Sequence, residues 1–354
     1  MTPLAGLLRR RIEASGPITI ADYMSDCLLH PLHGYYSTRD PLGRQGDFTT
    51  APEISQMFGE LIGLWLAQCW LDQGRPPAIS LAELGPGRGT LMADIMRATR
   101  VVPGFHAALQ IHLVEVSNPL RARQRAALAP NPVTWHEAID TLPLAPLFLV
   151  ANEFFDALPI RQFQRVVNGW RERVIGLQDG LLCIGLADPS QPPGLAHRRA
   201  DTGPGDCVEI RSGAVPIMEA IADRIADHGG AALIIDYGSW QSLGDTLQAL
   251  LHHAPDPVLA HPGEADLTAH VDFGALARAA GRVAHGPLTP QGVLLERLGI
   301  TARAQSLGRA LTGEALSSHV AAHRRLTHPL EMGQLFQALP LFPKGQPVPP
   351  GFEA

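Results

Sequence analysis

The chain has 354 residues, of which 45% are hydrophobic and 18% are charged, a composition typical of a globular protein with one large α/β domain or two smaller ones. Its formal net charge of -6 gives no electrostatic reason to expect binding to nucleic acid or to an anionic membrane. No apolar run reaches the roughly 18 residues that a membrane helix needs. The four cysteines form no CxxC pair, and the first residues lack the order of a secretory signal. We therefore expect a cytoplasmic protein without membrane insertion.

The first part of the chain, residues 1–75, is predicted to be mainly helical with one long loop that could act as a lid. The sequence "TAPE" predicts a capping box, in which the Thr50 side chain accepts from the amide of Glu53 and Glu53 reaches back. Pro52 fits the first turn of such a helix. From Met57 onward, apolar residues recur at helical spacing, which predicts a helix with a buried face.

Short apolar strands alternate with helical segments from Ala78 onward, beginning with "AISLAEL" and "TLMADIMRAT". This alternation predicts a mostly parallel sheet with helices on both faces. Asn-Gly and Asp-Gly turns interrupt it and predict a β insertion over about residues 159–211. We therefore expect one α/β domain over residues 76–354, whose elements from about 240–354 lie on the substrate side.

A glycine-rich turn follows the first strand of this domain, in "LAELGPGRGTL". Gly85, Gly87 and Gly89 have the spacing GxGxG, whereas dinucleotide-binding turns have GxGxxG. Glu83 would repel a pyrophosphate but suits the ammonium and sulfonium of S-adenosylmethionine. Glu115 ends the second strand, where a carboxylate can accept from both ribose hydroxyls, as it also does in NAD enzymes. The turn thus favours S-adenosylmethionine over NAD, with a plain turn as the alternative.

Eight motifs in a fixed order resemble the MidA-like family of S-adenosylmethionine-dependent methyltransferases. They are "GYYS", "GDFTTAPEISQMFGE", "ELGPGRGTLMADIMR", "VEVSNPLRARQ", "ANEFFDALPIRQF", "IDYG", "GDTLQAL" and "PGEADLTAHVDF". The resemblance implies the class I methyltransferase fold, a Rossmann-like sheet whose last strand is antiparallel. It also implies that Glu83, Gly85 and Gly87 surround the methionine part of the cofactor and that Glu115 holds the ribose. Glu137 either faces the adenine amino group or is an exposed acid.

The loop "ANEFFDALP" follows the fourth strand, where amine-methylating enzymes of this fold often carry Asn-Pro-Pro-aromatic. Asn152 matches that pattern at the cofactor, but the following residues do not, so adenine or glutamine methylation is not expected. If a helical turn follows the strand, Glu153 and Asp156 lie on one side and can hold a guanidinium. The alternatives are a helix-start acid for Glu153 and a structural acid for Asp156.

The resemblance implies methylation of an arginine, because a mitochondrial member is linked to symmetric dimethylation in the 49-kDa subunit of complex I. We therefore expect a protein arginine methyltransferase that acts during complex I assembly. A non-catalytic assembly factor that binds the cofactor is the alternative, and an NAD-dependent oxidoreductase is disfavoured by Glu83. Asp47 either meets the ligand or is a loop acid. No HExxH or CxxC spacing supports a metal, and none is expected.

Overall fold

The computed structural model of the chain describes residues 2–38 and 49–353. These residues form two compact units, each drawn from three stretches of chain. The first unit comprises Met1–Phe48, Asp156–Val215 and Gln241–His270, and the second comprises Thr49–Phe155, Pro216–Trp240 and Val271–Ala354. None of the described helices combines the length and the hydropathy that crossing a membrane requires. Strands and helices are numbered below along the whole chain.

The second unit is built on one mixed sheet. Its strands are β2 (Ile79–Leu84), β3 (Leu109–Val114), β4 (Val133–His136), β5 (Leu147–Asn152), β10 (Gly230–Ser239), β14 (Val271–Asp272), β15 (Ala284–His285), β16 (Thr289–Pro290) and β17 (Phe336–Phe342). The order is β15-β17-β10-β5-β2-β3-β4, with β14 beside β10 and β16 beside β17. The pairs from β10 to β4 are parallel, whereas β17 runs antiparallel to β10. This confirms the predicted Rossmann-like sheet with an antiparallel last strand.

Helices of the second unit cover this sheet. They are α4 (Ala51–Ile54), α5 (Gln56–Asp72), α6 (Thr90–Ala98), α7 (Phe105–Ala108), α8 (Asn118–Leu128), α9 (Ala214–His228), α10 (Phe273–Ala279), α11 (Gln291–Arg297), α12 (Ile300–Gly308), α13 (Gly313–Thr327) and α14 (Met332–Leu335). Every residue of β2 and β5 is buried, because the central strands of a parallel sheet are covered on both faces. Helix α5 buries Met57, Leu61, Trp65 and Cys69, as their spacing predicts.

Among its described residues, the first unit contains two smaller sheets, three α-helices and a 3-10 helix (Pro193–Arg199). The helices are α1 (Pro3–Ser15), α2 (Ile20–Leu29) and α3 (Tyr35–Thr38); the strands are β1 (Ile18–Thr19), β6 (Arg161–Val166), β7 (Gly169–Gln178), β8 (Leu181–Ser190), β9 (Cys207–Ile210), β11 (Gln248–Leu251), β12 (Ala254–Asp256) and β13 (Asp266–Thr268). One sheet has the order β1-β7-β6-β9 with β8 also paired to β7, and the other has the order β12-β11-β13. This unit contains the predicted β insertion.

Local turns and distant contacts together hold the first unit. Asp179 and Gly180 have positive φ angles of 52° and 73°, which form the tight turn between β7 and β8 that the Asp-Gly pair predicts. At the start of the chain, the hydroxyl of Thr2 accepts from the amide of Ala5 and donates to the carbonyl of Pro262 at 2.8 Å. Helix α1 is therefore fixed by residues that lie 260 positions away in sequence.

Candidate active site

The glycine turn joins the end of β2 to the start of α6. Gly85, Gly87 and Gly89 have φ angles of 61°, 52° and 85°, a region that other residues adopt only at a cost in energy. A β-carbon at Gly85 would come within 2.9 Å of the Phe154 ring, and one at Gly89 would come within 3.2 Å of Gln124 in α8. Helix α6 begins directly after the turn, where the first amides of a helix have no partner within the helix itself.

Glu83 lies beneath this turn and is 3% exposed. Burial raises the pKa of its carboxyl group to about 8, and the nearby Glu115 adds to the rise, whereas a hydrogen bond from the amide of Met92 opposes it. Its Oε2 atom is buried and has no hydrogen-bond partner among the described residues. A ligand with an ammonium group would supply the missing donor and a compensating charge.

Glu115 follows β3 and is held by its neighbours. Its Oε1 accepts from the amide of Ser117 at 2.8 Å, and its Oε2 accepts from the Gln124 amide at 3.2 Å. Burial raises the pKa of Glu115. Gln124 also donates to the carbonyl of Gly87 and accepts from the Trp135 indole. Gln124 thus ties the glycine turn to Glu115, a role that its place in "VEVSNPLRARQ" did not reveal.

Asn152 and Glu153 stand at the end of β5, beside β2 in the sheet. The Nδ2 of Asn152 donates to Oε1 of Glu153 at 2.9 Å, while the buried Oδ1 of Asn152 has no partner among the described residues. Glu153 has a φ of 50°, unusual for a residue with a side chain, and the same Oε1 accepts from the amide of Ala51 at 2.9 Å. The Glu153 carboxylate is therefore fixed at this edge.

The segment after β5 is not helical, so the predicted turn that would place Glu153 and Asp156 on one side is absent. The amide of Phe155 donates to the buried carboxylate of Asp236 at 3.0 Å, a bond that sequence reasoning did not anticipate. Asp156 belongs to the first unit, where it is 6% exposed and accepts from the amide of Ala157 at 2.9 Å.

The segment from Thr49 to Ser55 borders the glycine turn. The predicted capping box is wrong, because the side chain of Thr50 makes no cap and Glu53 instead accepts from the hydroxyl of Thr90 at 2.5 Å. Arg88 lies 3.9 Å from the same Glu53 carboxylate. Both contacts join residues far apart in sequence, and the stronger donors at the glycine turn draw Glu53 away from the helix start.

The remaining acidic candidates contribute less to this edge. Glu137 follows β4 and is exposed. Asp47 lies outside the described residues. Among residues 2–38 and 49–353, no three His, Cys, Asp or Glu side chains are grouped so that they could hold a metal ion.

The structure brings most predicted site residues to the carboxyl edge of the parallel strands in the second unit, where ligands of open α/β sheets bind. They are Glu83, Gly85, Gly87, Gly89, Glu115, Asn152 and Glu153. Two buried oxygens there, Oε2 of Glu83 and Oδ1 of Asn152, lack donors among the described residues. Because S-adenosylmethionine carries N–H donors and positive charge, these residues fit that cofactor.

Comparison with known proteins agrees with this fit. Residues 61–291 match the model of a family described as "Putative S-adenosyl-L-methionine-dependent methyltransferase". The mouse protein arginine methyltransferase NDUFAF7 is 38% identical, over 97% of this chain and 85% of its own length. The human protein of the same name is 37% identical over 97% of this chain and 84% of its own.

A solved structure from Burkholderia thailandensis, bound to S-adenosyl-homocysteine, is similar throughout. It shares 28% sequence identity with a TM-score of 0.83, covering 98% of this chain and 93% of the other. S-adenosyl-homocysteine is what remains when S-adenosylmethionine gives up its methyl group. The cofactor predicted from the glycine turn is thereby confirmed as S-adenosylmethionine.

The prediction of a cytoplasmic protein is wrong, because the curated relatives from Mus musculus, Danio rerio and Homo sapiens are named as mitochondrial. That prediction rested on the cysteine spacing and on the composition of the first residues. Reduced cysteines are compatible with more than one compartment, so neither feature specifies the location.

Proposed function

Because the chain belongs to this family of S-adenosylmethionine-dependent methyltransferases, we propose that it methylates an arginine side chain of a protein. The names of the relatives support a protein arginine as the acceptor. The observation that carries the proposal is the fixed carboxylate of Glu153 at the end of β5. At the same edge of the sheet, Oε2 of Glu83 and Oδ1 of Asn152 are buried acceptors without a donor among the described residues. A carboxylate in this position can hold and polarise a guanidinium.

The cofactor-binding residues follow from the same edge. Glu83 and Asn152 would accept hydrogen bonds from the ammonium of S-adenosylmethionine, and Glu115 would accept from the ribose hydroxyls. The glycine turn would allow the protein backbone to approach the cofactor closely. When bound, the cofactor supplies an electrophilic methyl group on a sulfonium. The protein's task is then to position the acceptor nitrogen, to exclude water and to stabilise charge.

Glu153 would orient the guanidinium and draw its positive charge away from the attacking nitrogen. The pKa of arginine is too high for a carboxylate to deprotonate it before transfer, so the proton leaves late in the reaction or afterwards. The left-handed backbone of Glu153 is a strained conformation of the kind that clusters at active sites. The sequence also predicted Asp156 for this role, but the helical turn that would place it beside Glu153 is absent.

As the substrate we propose the 49-kDa-type subunit of complex I, on the resemblance to the MidA-like family. The test incubates the purified chain and subunit with methyl-deuterated S-adenosylmethionine and locates the label by tandem mass spectrometry. We expect label on arginine with the native chain and at least about a hundredfold less with Glu153→Gln, if Glu153 acts on charge in the transition state. A labelled lysine or histidine would overturn the choice of acceptor.

One observation favours a second candidate, a non-catalytic assembly factor that binds the cofactor. Oε1 of Glu153 already accepts two hydrogen bonds from protein groups, which is also what a structural carboxylate does. Cells that carry only the Glu153→Gln variant separate the two functions. Normal complex I assembly, with normal cofactor binding and no methylation, would support the assembly factor.

A further inference from the structure

One end of the larger sheet in the first unit has a polar face. Strand pairing sets Leu186 opposite Arg173 and Arg173 opposite Gln162, and it sets Gln164 opposite Cys207. Because opposed residues of antiparallel strands share a face, these side chains lie together. The other face carries a small apolar core, formed by Phe163, Trp170, Leu195 and Val208.

A pocket of about 520 Å³ lies over this polar face. Gln164, Arg173 and Cys207 contribute to its polar lining, and Ile184, Leu186 and Leu243 form an apolar rim. The rim residues are 39%, 40% and 52% exposed. Ligand sites have volumes of this order, and exposed aliphatic groups at a concave surface mark binding sites.

The charge of the pocket selects its ligand. Among the described residues, its lining contains two acidic residues, Asp206 and Asp245, and one arginine, Arg173, whose guanidinium lies 2.5 Å from Asp245. Burial raises the pKa of the Cys207 thiol to about 11, so this side chain is neutral at physiological pH. One carboxylate charge is therefore left over, and it favours a basic group.

The edge of β8 borders the same pocket. Within the described part of the chain, β8 pairs with β7 and with no other strand. Three successive residues of β8, 184–186, line the pocket. Because the side chains of a strand alternate between its two faces, the backbone of β8 must also border the pocket. The Arg171 guanidinium donates to the carbonyls of Leu186 and Ala187, at 3.3 and 2.7 Å, which leaves the part of β8 before Leu186 as the open edge. Such an edge can pair with an extended peptide.

We propose that this pocket and the edge of β8 bind an extended protein segment in which a basic side chain has aliphatic side chains two residues before and two residues after it, so that all three face the pocket. The segment adds a strand to β8, its basic group meets Asp206 and Asp245, and its aliphatic groups cover the rim. This inference rests on the proposed function, because the segment belongs to the protein that is methylated. It is a docking site, apart from the residues that hold the cofactor.

Fluorescence anisotropy tests the proposal on the whole protein with labelled acetyl-Val-Ser-Arg-Ser-Val-Ser-amide, whose arginine and valines share one face of a strand, and with its counterpart that has glutamate in place of arginine. We expect the arginine peptide to bind and the glutamate peptide not to bind. Leu186→Arg adds a charge at the rim and should weaken binding at least about tenfold. Val167→Arg is the matched control, because Val167 lies in the turn between β6 and β7, is 77% exposed and belongs neither to β8 nor to the pocket lining. We expect its affinity to stay within about twofold of the native chain.

Equal binding by both Arg variants, or binding of the glutamate peptide, would overturn the proposal. Arginine amide serves as a competitor, and displacement at the same concentration as the unlabelled arginine peptide would show that no extended segment is needed. Binding does not depend on methyl transfer, so the Glu153→Gln variant should bind the peptide normally. A chain that binds the peptide but labels no arginine would refute the proposed function and leave the docking site standing.

Discussion

Two buried glutamates, one in each unit, are treated differently by their surroundings. Glu209 in the first unit accepts from the side chain of Gln162 and from the amide and hydroxyl of Thr246, so both of its oxygens are satisfied. Glu83 in the second unit has an oxygen with no described partner and a pKa raised to about 8. This difference indicates that Glu209 is a structural carboxylate and that Glu83 is a ligand-binding one.

The largest expected effect tests the structural side of this comparison. Glu209→Ala removes one of the two acceptors of the buried Gln162 amide, the other being Asp245, and also the acceptor of the Thr246 hydroxyl, so we expect a loss of about 3 kcal/mol in unfolding free energy. Urea denaturation followed by circular dichroism measures it. The affinity for S-adenosylmethionine should not change, and an unchanged stability would show that Glu209 is not the structural member of the pair.

Glu83→Gln tests the ligand side. The substitution removes the charge that would meet the cofactor's ammonium. We therefore expect the dissociation constant at pH 9 to be roughly 30-fold larger, which corresponds to a loss of about 2 kcal/mol in binding free energy. Isothermal titration calorimetry with S-adenosyl-homocysteine measures it, since that molecule keeps the ammonium. An affinity equal to that of the native chain would remove Glu83 from the cofactor site. Stability at neutral pH should not fall, because Glu83 is mostly protonated there and glutamine is a neutral side chain of similar size.

The pH dependence sharpens the same contrast. With a pKa of about 8, Glu83 is mostly protonated at pH 7, and binding a cation requires it to ionise. The affinity for S-adenosyl-homocysteine should therefore rise about tenfold from pH 7 to pH 9, with release of a proton. Calorimetry in buffers of different ionisation enthalpy counts that proton, and Glu83→Gln should abolish the release.

As pH rises, the stability of the cofactor-free protein should fall, whereas its affinity for S-adenosyl-homocysteine should rise. The folded-state pKa of Glu83 lies above its ordinary value of 4.5, so the folded state binds more protons between those two values. The contribution of Glu83 to unfolding free energy is fully present below about pH 4.5 and is lost as pH rises through about 8. Thermal melts of the native chain and Glu83→Gln across this range measure it. Parallel pH profiles for the two proteins would contradict the assignment.

The smallest effect concerns a residue that positions others. Gln124→Leu keeps a similar volume but removes the bonds to Gly87, Glu115 and Trp135. We expect cofactor affinity to fall about fivefold, because the turn and Glu115 lose their link while both remain in place. Calorimetry measures the affinity, and Arg123→Leu on the same helix is the control for an altered surface. Equal effects of the two variants would deny Gln124 this role.

The sequence predicted the second unit well because its signals are local. Alternating strands and helices, the spacing of Gly85, Gly87 and Gly89, and Glu83 two residues before the first glycine all lie within short stretches of chain. Backbone geometry then places Glu115 at the same edge, since parallel strands end together. These features predicted the fold and the cofactor without any knowledge of side-chain contacts.

The sequence did not reveal contacts between distant stretches. Glu53 bonds to Thr90 and not to its own helix start, Phe155 bonds to Asp236, and Gln124 reaches Gly87. For Glu53 and for the segment around Phe155, the bond to a distant residue replaces a local structure that the sequence pattern favours. The helical turn expected after Asn152 fails for the same reason. The roles of Glu153 and Asp156 remain proposals.

The bond between Thr2 and Pro262 also has a consequence for biosynthesis. A ribosome that adds about 5 to 20 residues per second needs roughly 13 to 50 seconds to make the intervening 260 residues. The core around helix α1 therefore stays incomplete until the last stretch of the first unit, which supplies Ala249, Ala265 and Leu267, emerges. The second unit's sheet also closes late, because β17 comes near the end of the chain. Nascent chains of this protein are thus expected to depend on chaperones that shield the N-terminal segment.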